Sequence, residues 1–166
     1  MCKEIVNKFN FDSILFWNIL SYQKKLDDII HSKKGLMFRE TIREREIALY
    51  VEFGELMNEV QNFKYWKDNK KFDRGRILDE LVDCLHFSAS LYNEDKISID
   101  TQIIIDFYND ELYELEFFRE LNSLYKYTHF EWLFAYGLKL GFSEKEIYNG
   151  YIKKNKENIE RVNGGY

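Results

Sequence analysis

Proline is absent from all 166 residues of the chain, and glycine occurs only 8 times. That scarcity of helix breakers, with 32% charged and 17% aromatic residues, is the composition of an ordered, helix-rich protein and excludes a disordered one. Cysteine is almost as scarce: Cys2 lies near the N-terminus and Cys84 inside an apolar run. Two such cysteines make neither a disulfide framework nor a CxxC metal signature, and the expected compartment is a reducing cytoplasm. Long apolar runs are missing as well. No window approaches the ~20 uncharged apolar residues of a membrane span, and MCKEIVNKFNFDS lacks the apolar core of a secretory signal, so a soluble, unprocessed chain is expected. A surplus of positive charge is also lacking. The net charge of -5 argues against non-specific binding to nucleic acid, though not against nucleotides. The length suits one domain over residues 1–166 with a core of its own.

What remains is helical periodicity with short, marked breaks. A first helix is expected from Asp12 or Ser13 to a stop near Gly35, and a second from about Thr41 to Trp66. KDNKKFDRGR reads as a loop ahead of a third helix, ILDELVDCLHFSASLY, which NEDKIS breaks. Segments near 100–126 and 129–140 are amphipathic and aromatic-rich, with IIIDFY open to a strand reading although its neighbours are helical in pattern. Gly141 ends the latter segment, Ser143 and Glu146 form an S-x-x-E capping box for the last helix, and Asn163-Gly164-Gly165 closes it. The expected architecture is an all-α bundle of about five to six helices.

Two of these helices carry acid where a core is expected. In ALYVEFGELMNEV a rotation of about 100° per residue puts Glu52, Glu55 and Glu59 on one stripe of an otherwise apolar helix. ILDELVDCLHF places Glu80 and Asp83 one turn apart among leucines and Val82, with Asp79 and His86 close by. An antiparallel return through the intervening loop can make the two pairs face each other. Like charges about 5 Å apart repel by roughly 3 kcal/mol at an effective dielectric near 20, so a converging cluster needs a cation. Oxygen-only ligands suit Mg2+ or Mn2+, and no Cys/His grouping suits zinc. The alternative is that the acids face solvent or pair with Lys and Arg. Near the C-terminus, Lys154, Asn158 and Arg161 recur on one helical face ahead of Gly164-Gly165 and Tyr166. A point charge, an amide donor and a planar fork form a cradle for phosphate oxygens, or else simply complement the helix dipole. His86, a lone histidine on a helix, reads as structural.

E52FGE55, E80LVD83 and the tail K154NKENIERVNGGY166, joined by Q23KKLD27 and F63KYW66, resemble the dimeric all-α dUTPase family, part of the superfamily of MazG-like nucleoside triphosphate pyrophosphatases. The resemblance implies Mg2+-dependent hydrolysis of dUTP to dUMP and pyrophosphate in a carboxylate-lined cleft. It implies metal ligation by Glu52, Glu55, Glu80 and Asp83, with Glu52 or Glu55 orienting the attacking water. The implied substrate contacts are Gln23, Asp27, Lys64, Trp66, Lys154, Asn158, Arg161 and Tyr166, with a flexible phosphate-binding tail near 161–166. It further implies a homodimer, for which the aromatic excess supplies an interface. Two other readings stay open: a MazG-like enzyme of different base preference, and a regulatory protein that binds a partner on the same fold.

Overall fold

The computed structural model describes residues 13–95, 101–109 and 129–165. The described residues form six α-helices and one 3-10 turn, with no strand among them. Helix α1 is Ser13–Lys34, followed by the 3-10 turn Phe38–Thr41; α2 is Ile42–Val60, α3 Arg74–Asp95, α4 Thr101–Asn109, α5 His129–Lys139 and α6 Glu144–Asn163. IIIDFY lies on α4 and is helical. The rest of the segment expected near 100–126 falls outside the described residues.

Local chemistry sets most boundaries. Gly35, at φ 65°, ends α1, and Gly141, at φ 87°, follows α5; both are left-handed positions that glycine occupies without strain. Ser143 Oγ accepts from the Glu146 amide while Glu146 Oε2 accepts from the Ser143 amide, so the expected capping box is formed. Asp73 Oδ1 accepts from the Gly75 and Arg76 amides and starts α3. Helix α2 stops earlier than its pattern suggests. Gln61 turns left-handed at φ 59° and returns its N–H to Met57, and its side chain bonds Lys71 O, so the aromatics of FKYW stand on a loop instead of a last helical turn.

Helix α3 is the centre of the bundle and packs on α1, α2, α5 and α6, with its most extensive contact to α2. Leu81 and Leu85 on α3 are wholly buried together with Phe16, Leu56, Leu133 and Ile147, and Phe16 meets Phe130 edge-on at 4.4 Å. Two glycines let neighbouring helices come close. A Cβ on Gly137 of α5 would lie 2.6 Å from Leu81 Cδ2, and one on Gly150 of α6 would lie 3.2 Å from Val82 Cγ2. Close approach at Gly150 matters for the site, because Lys154 follows one turn later on α6 and Asp83 follows Val82 on α3. No helix among the described residues is long and apolar enough to cross a membrane.

Candidate active site

Glu52 on α2 and Glu80 and Asp83 on α3 each place a carboxylate oxygen within 4.8 Å of the others, and all three side chains are partly buried. Glu55, one turn from Glu52 and more exposed, adds its charge against both Glu52 and Glu80. Glu59 leaves the stripe: its carboxylate pairs with Arg76 at 2.8 Å, so the third acid of the α2 run is neutralised from the neighbouring helix. The remaining acids are crowded. Burial, followed by the charges of Asp83, Glu55 and Glu80, pushes Glu52 up to about 7 against an opposing pull from Lys154. Glu80 is raised by burial and by Glu55 and Asp83. Asp83 is raised by burial even though it accepts a hydrogen bond from Lys154. An oxygen-only donor set under this mutual repulsion fits a hard divalent cation. The adjacent Cys84 does not add sulfur to it, because burial and the three acids hold its thiol protonated.

The cationic face of α6 stands opposite. Lys154 Nζ donates to Asp83 Oδ2 at 2.5 Å, and Asn158 and Arg161 line the same cavity as Glu52 and Asp83. Helix α6 is regular to Asn163, so Arg161 already sits in its last turn. Lys33 of α1 donates to Val162 O at 2.9 Å and ties that end down. Tyr166 lies outside the described residues.

Between these faces is a cavity of about 470 Å³, within the range that accommodates small ligands. Leu26, Ile30 and Phe87 give it apolar walls, and its floor is polar and buried. Gln23 Nε2 donates to Asp27 Oδ1 at 2.8 Å, while Gln23 Oε1 accepts from His86 Nδ1 at 2.7 Å and from Tyr151 Oη at 2.6 Å. Burial pushes Asp27 up to about 6, with Ser90, Gln23, Arg45 and His31 pulling it back. At the far end the buried Arg45 guanidinium donates to Ser90 O and Oγ and to Phe38 O, and lies 4.7 Å over the Phe38 ring. His31 stacks on the same Phe38 ring at 4.4 Å, and its Nε2 bonds Thr41 Oγ1.

The fold thus brings together Glu52, Glu80 and Asp83, sets Glu55 beside them, and gathers Gln23, Asp27, Lys154, Asn158 and Arg161 around one cavity. It does not bring Lys64 or Trp66 there. Lys64 Nζ bonds Asn58 O, and Trp66, 62% exposed, packs on Phe63 and Tyr65 in the 61–73 loop. Sequence reasoning missed His31, Thr41 and Arg45, which carry no motif, and set His86 aside as structural although it lines the cavity. The signal for His86 was its place one turn beyond Asp83, on the face that carries the acids. The sequence model of the family described as dUTPase matches residues 16–166, and the chain belongs to that all-α family.

Proposed function

From dUTPase-family membership, which assigns dUTP diphosphatase activity to the chain, we propose that Mg2+ or Mn2+ held by Glu52, Glu55, Glu80 and Asp83 supports hydrolysis of dUTP to dUMP and pyrophosphate in the cavity between α3 and α6. The observation that carries this reading is the convergence of Glu52, Glu80 and Asp83 at the edge of a cavity whose lining Glu52 and Asp83 share with Lys154, Asn158 and Arg161. A bound divalent cation would neutralise charge developing on the phosphate oxygens and acidify a bound water. The rest falls to side chains. Glu52 or Glu55 orients the attacking water and accepts its hydrogen bond. Lys154, Asn158 and Arg161 donate to the phosphates, the guanidinium with two parallel bonds. Gln23 and Asp27 meet the base at the floor, and Leu26, Ile30 and Phe87 exclude water around it. Lys64, Trp66 and Tyr166 keep a substrate role through the family resemblance alone. Exposed Ile47, Tyr50 and Val51 on α2 support a homodimer, and the free thiol at Cys84 is in keeping with a reducing cytoplasm.

A panel of deoxynucleoside triphosphates with Mg2+ tests the reading. Pyrophosphate release from dUTP well above that from dCTP, abolished by EDTA, is expected. Equal turnover of the two would overturn the base assignment, and undiminished turnover in EDTA would overturn the metal.

A further inference from the structure

The amide of Gln23 is held from three sides. A primary amide has two acceptor lone pairs on oxygen and two N–H donors. Here the oxygen receives both His86 Nδ1 and Tyr151 Oη, and one N–H goes to Asp27 Oδ1. The orientation is dictated by its partners, because an ionised carboxylate only accepts and so selects the amide nitrogen, which leaves the oxygen to face two donors. Gln23 is 3% exposed, Asp27 4%, His86 5% and Tyr151 fully buried, so water does not compete for these bonds. His86 stacks on Tyr151 with ring centres 4.2 Å apart and planes at 20°, which fixes the angle of both donors.

We infer that His86 and Tyr151 are positioning residues for base selection: they saturate the Gln23 carbonyl, so that the glutamine offers a ligand only its remaining N–H. Because the carbonyl can only accept, the His86 proton resides on Nδ1, and Nε2 is a buried nitrogen with no hydrogen-bond partner among the described residues. Burial, with Lys154 adding to it, lowers His86 to about 3, so the ring stays neutral in this tautomer across the physiological range. A lone donor at Gln23 complements the O4 carbonyl of uracil and opposes the amino group that cytosine carries at the same position. A glutamine free to rotate would accept either base by turning its amide over; a locked one does not.

This inference rests on the placement of the base at Gln23, and two sets of measurements separate the two. Tyr151→Phe keeps the ring stack and removes one donor to the carbonyl. The lock predicts that its kcat/KM ratio of dUTP to dCTP falls about tenfold, one hydrogen bond's worth, through a higher KM for dUTP at nearly unchanged kcat. A merely structural role would lower both substrates together and leave the ratio alone. Gln23→Leu tests the underlying placement: an unchanged ratio there removes the base from this floor altogether. A reduced ratio in Gln23→Leu with an unchanged one in Tyr151→Phe overturns the lock and spares the placement. Long-range proton–nitrogen correlation spectra of the 15N-histidine-labelled wild-type protein need no variant to fold. A neutral, Nδ1-protonated His86 that does not titrate above pH 5 is the expected signature, and assignment of His86 as Nε2-protonated or titrating near 6.5 overturns the proposal.

Discussion

The acid patch and the polar floor of the cavity meet on one helix, Asp83 serving the first and His86, one turn later, the second, yet they are built on opposite rules. In the patch, partly buried carboxylates crowd one another and their shared cation, Lys154, touches only Asp83. On the floor, donors and acceptors are matched around Gln23 and the titratable ring is held neutral. The patch stores electrostatic repulsion that a divalent cation would relieve, so its geometry is cheap to alter in stability and costly in chemistry. The floor's bonds fix orientation, and breaking one adds to the buried polar groups already unpartnered there, Nε2 of His86 among them.

The largest effect expected from this contrast is at Glu52. Glu52→Gln keeps the shape and removes a charge, and since even outer partners of metal ligands change metal affinity or activity 10- to 100-fold, loss of a ligand should lower dUTP turnover by more than about a hundredfold. In EDTA the same variant should melt above the parent by scanning fluorimetry. A lower melting temperature in EDTA together with retained turnover would place Glu52 among ordinary surface acids.

The next effect is the pH dependence of the metal-free protein. Glu52 ionises near 4.5 when unfolded and about 7 when folded, so the folded state binds the extra proton over that interval. Its contribution to stability is full below pH 4.5 and is lost as pH rises through 7. Glu80 and Asp83 are raised and act in the same direction. With solvent screening of these half-exposed groups the loss should be about 1 kcal/mol, read as a falling melting temperature in EDTA between pH 4.5 and 7. Glu52→Gln should flatten the curve, and a curve of the same slope in both proteins would assign the effect elsewhere. The smallest effect is at Glu59. Its exposed partner Arg76 makes it an ordinary ion pair, so Glu59→Gln should change stability by less than about 0.5 kcal/mol and leave turnover intact, which sharpens the boundary of the patch.

The sequence made the patch legible and the floor largely illegible, for reasons rooted in periodicity. Glu52 with Glu55 and Glu80 with Asp83 declare themselves because i, i+3 spacing is a local property of one helix. Glu59, four residues after Glu55, falls on the same stripe, and only packing of α3 against α2 supplies the Arg76 that removes it from the group. Lys154, Asn158 and Arg161 were readable as one face for the same reason. The lock on Gln23 joins α1, α3 and α6 across long stretches of chain, and no local pattern reports which side chains will meet. The overrun expected for α2 has a similar origin: apolar Phe63, Tyr65 and Trp66 continue a helical rhythm that a left-handed Gln61 ends. Tyr166 and most of the aromatic stretch after Asn109 lie outside the described residues.

Gly150 gives the site a mechanical tolerance. In mid-helix, glycine sacrifices helical propensity for nothing visible in a local pattern. Across the crossing, however, a methyl group there would sit 3.2 Å from Val82 and 3.4 Å from Leu78, and the residues next in line are Lys154 and Asp83. The glycine is therefore a shim of zero thickness between the helix that carries the anionic ligands and the helix that carries the cationic grip. Adding one carbon atom widens the gap that a phosphate chain must bridge. A residue without a functional group thus acts as the gauge that sets the calibre of the enzyme.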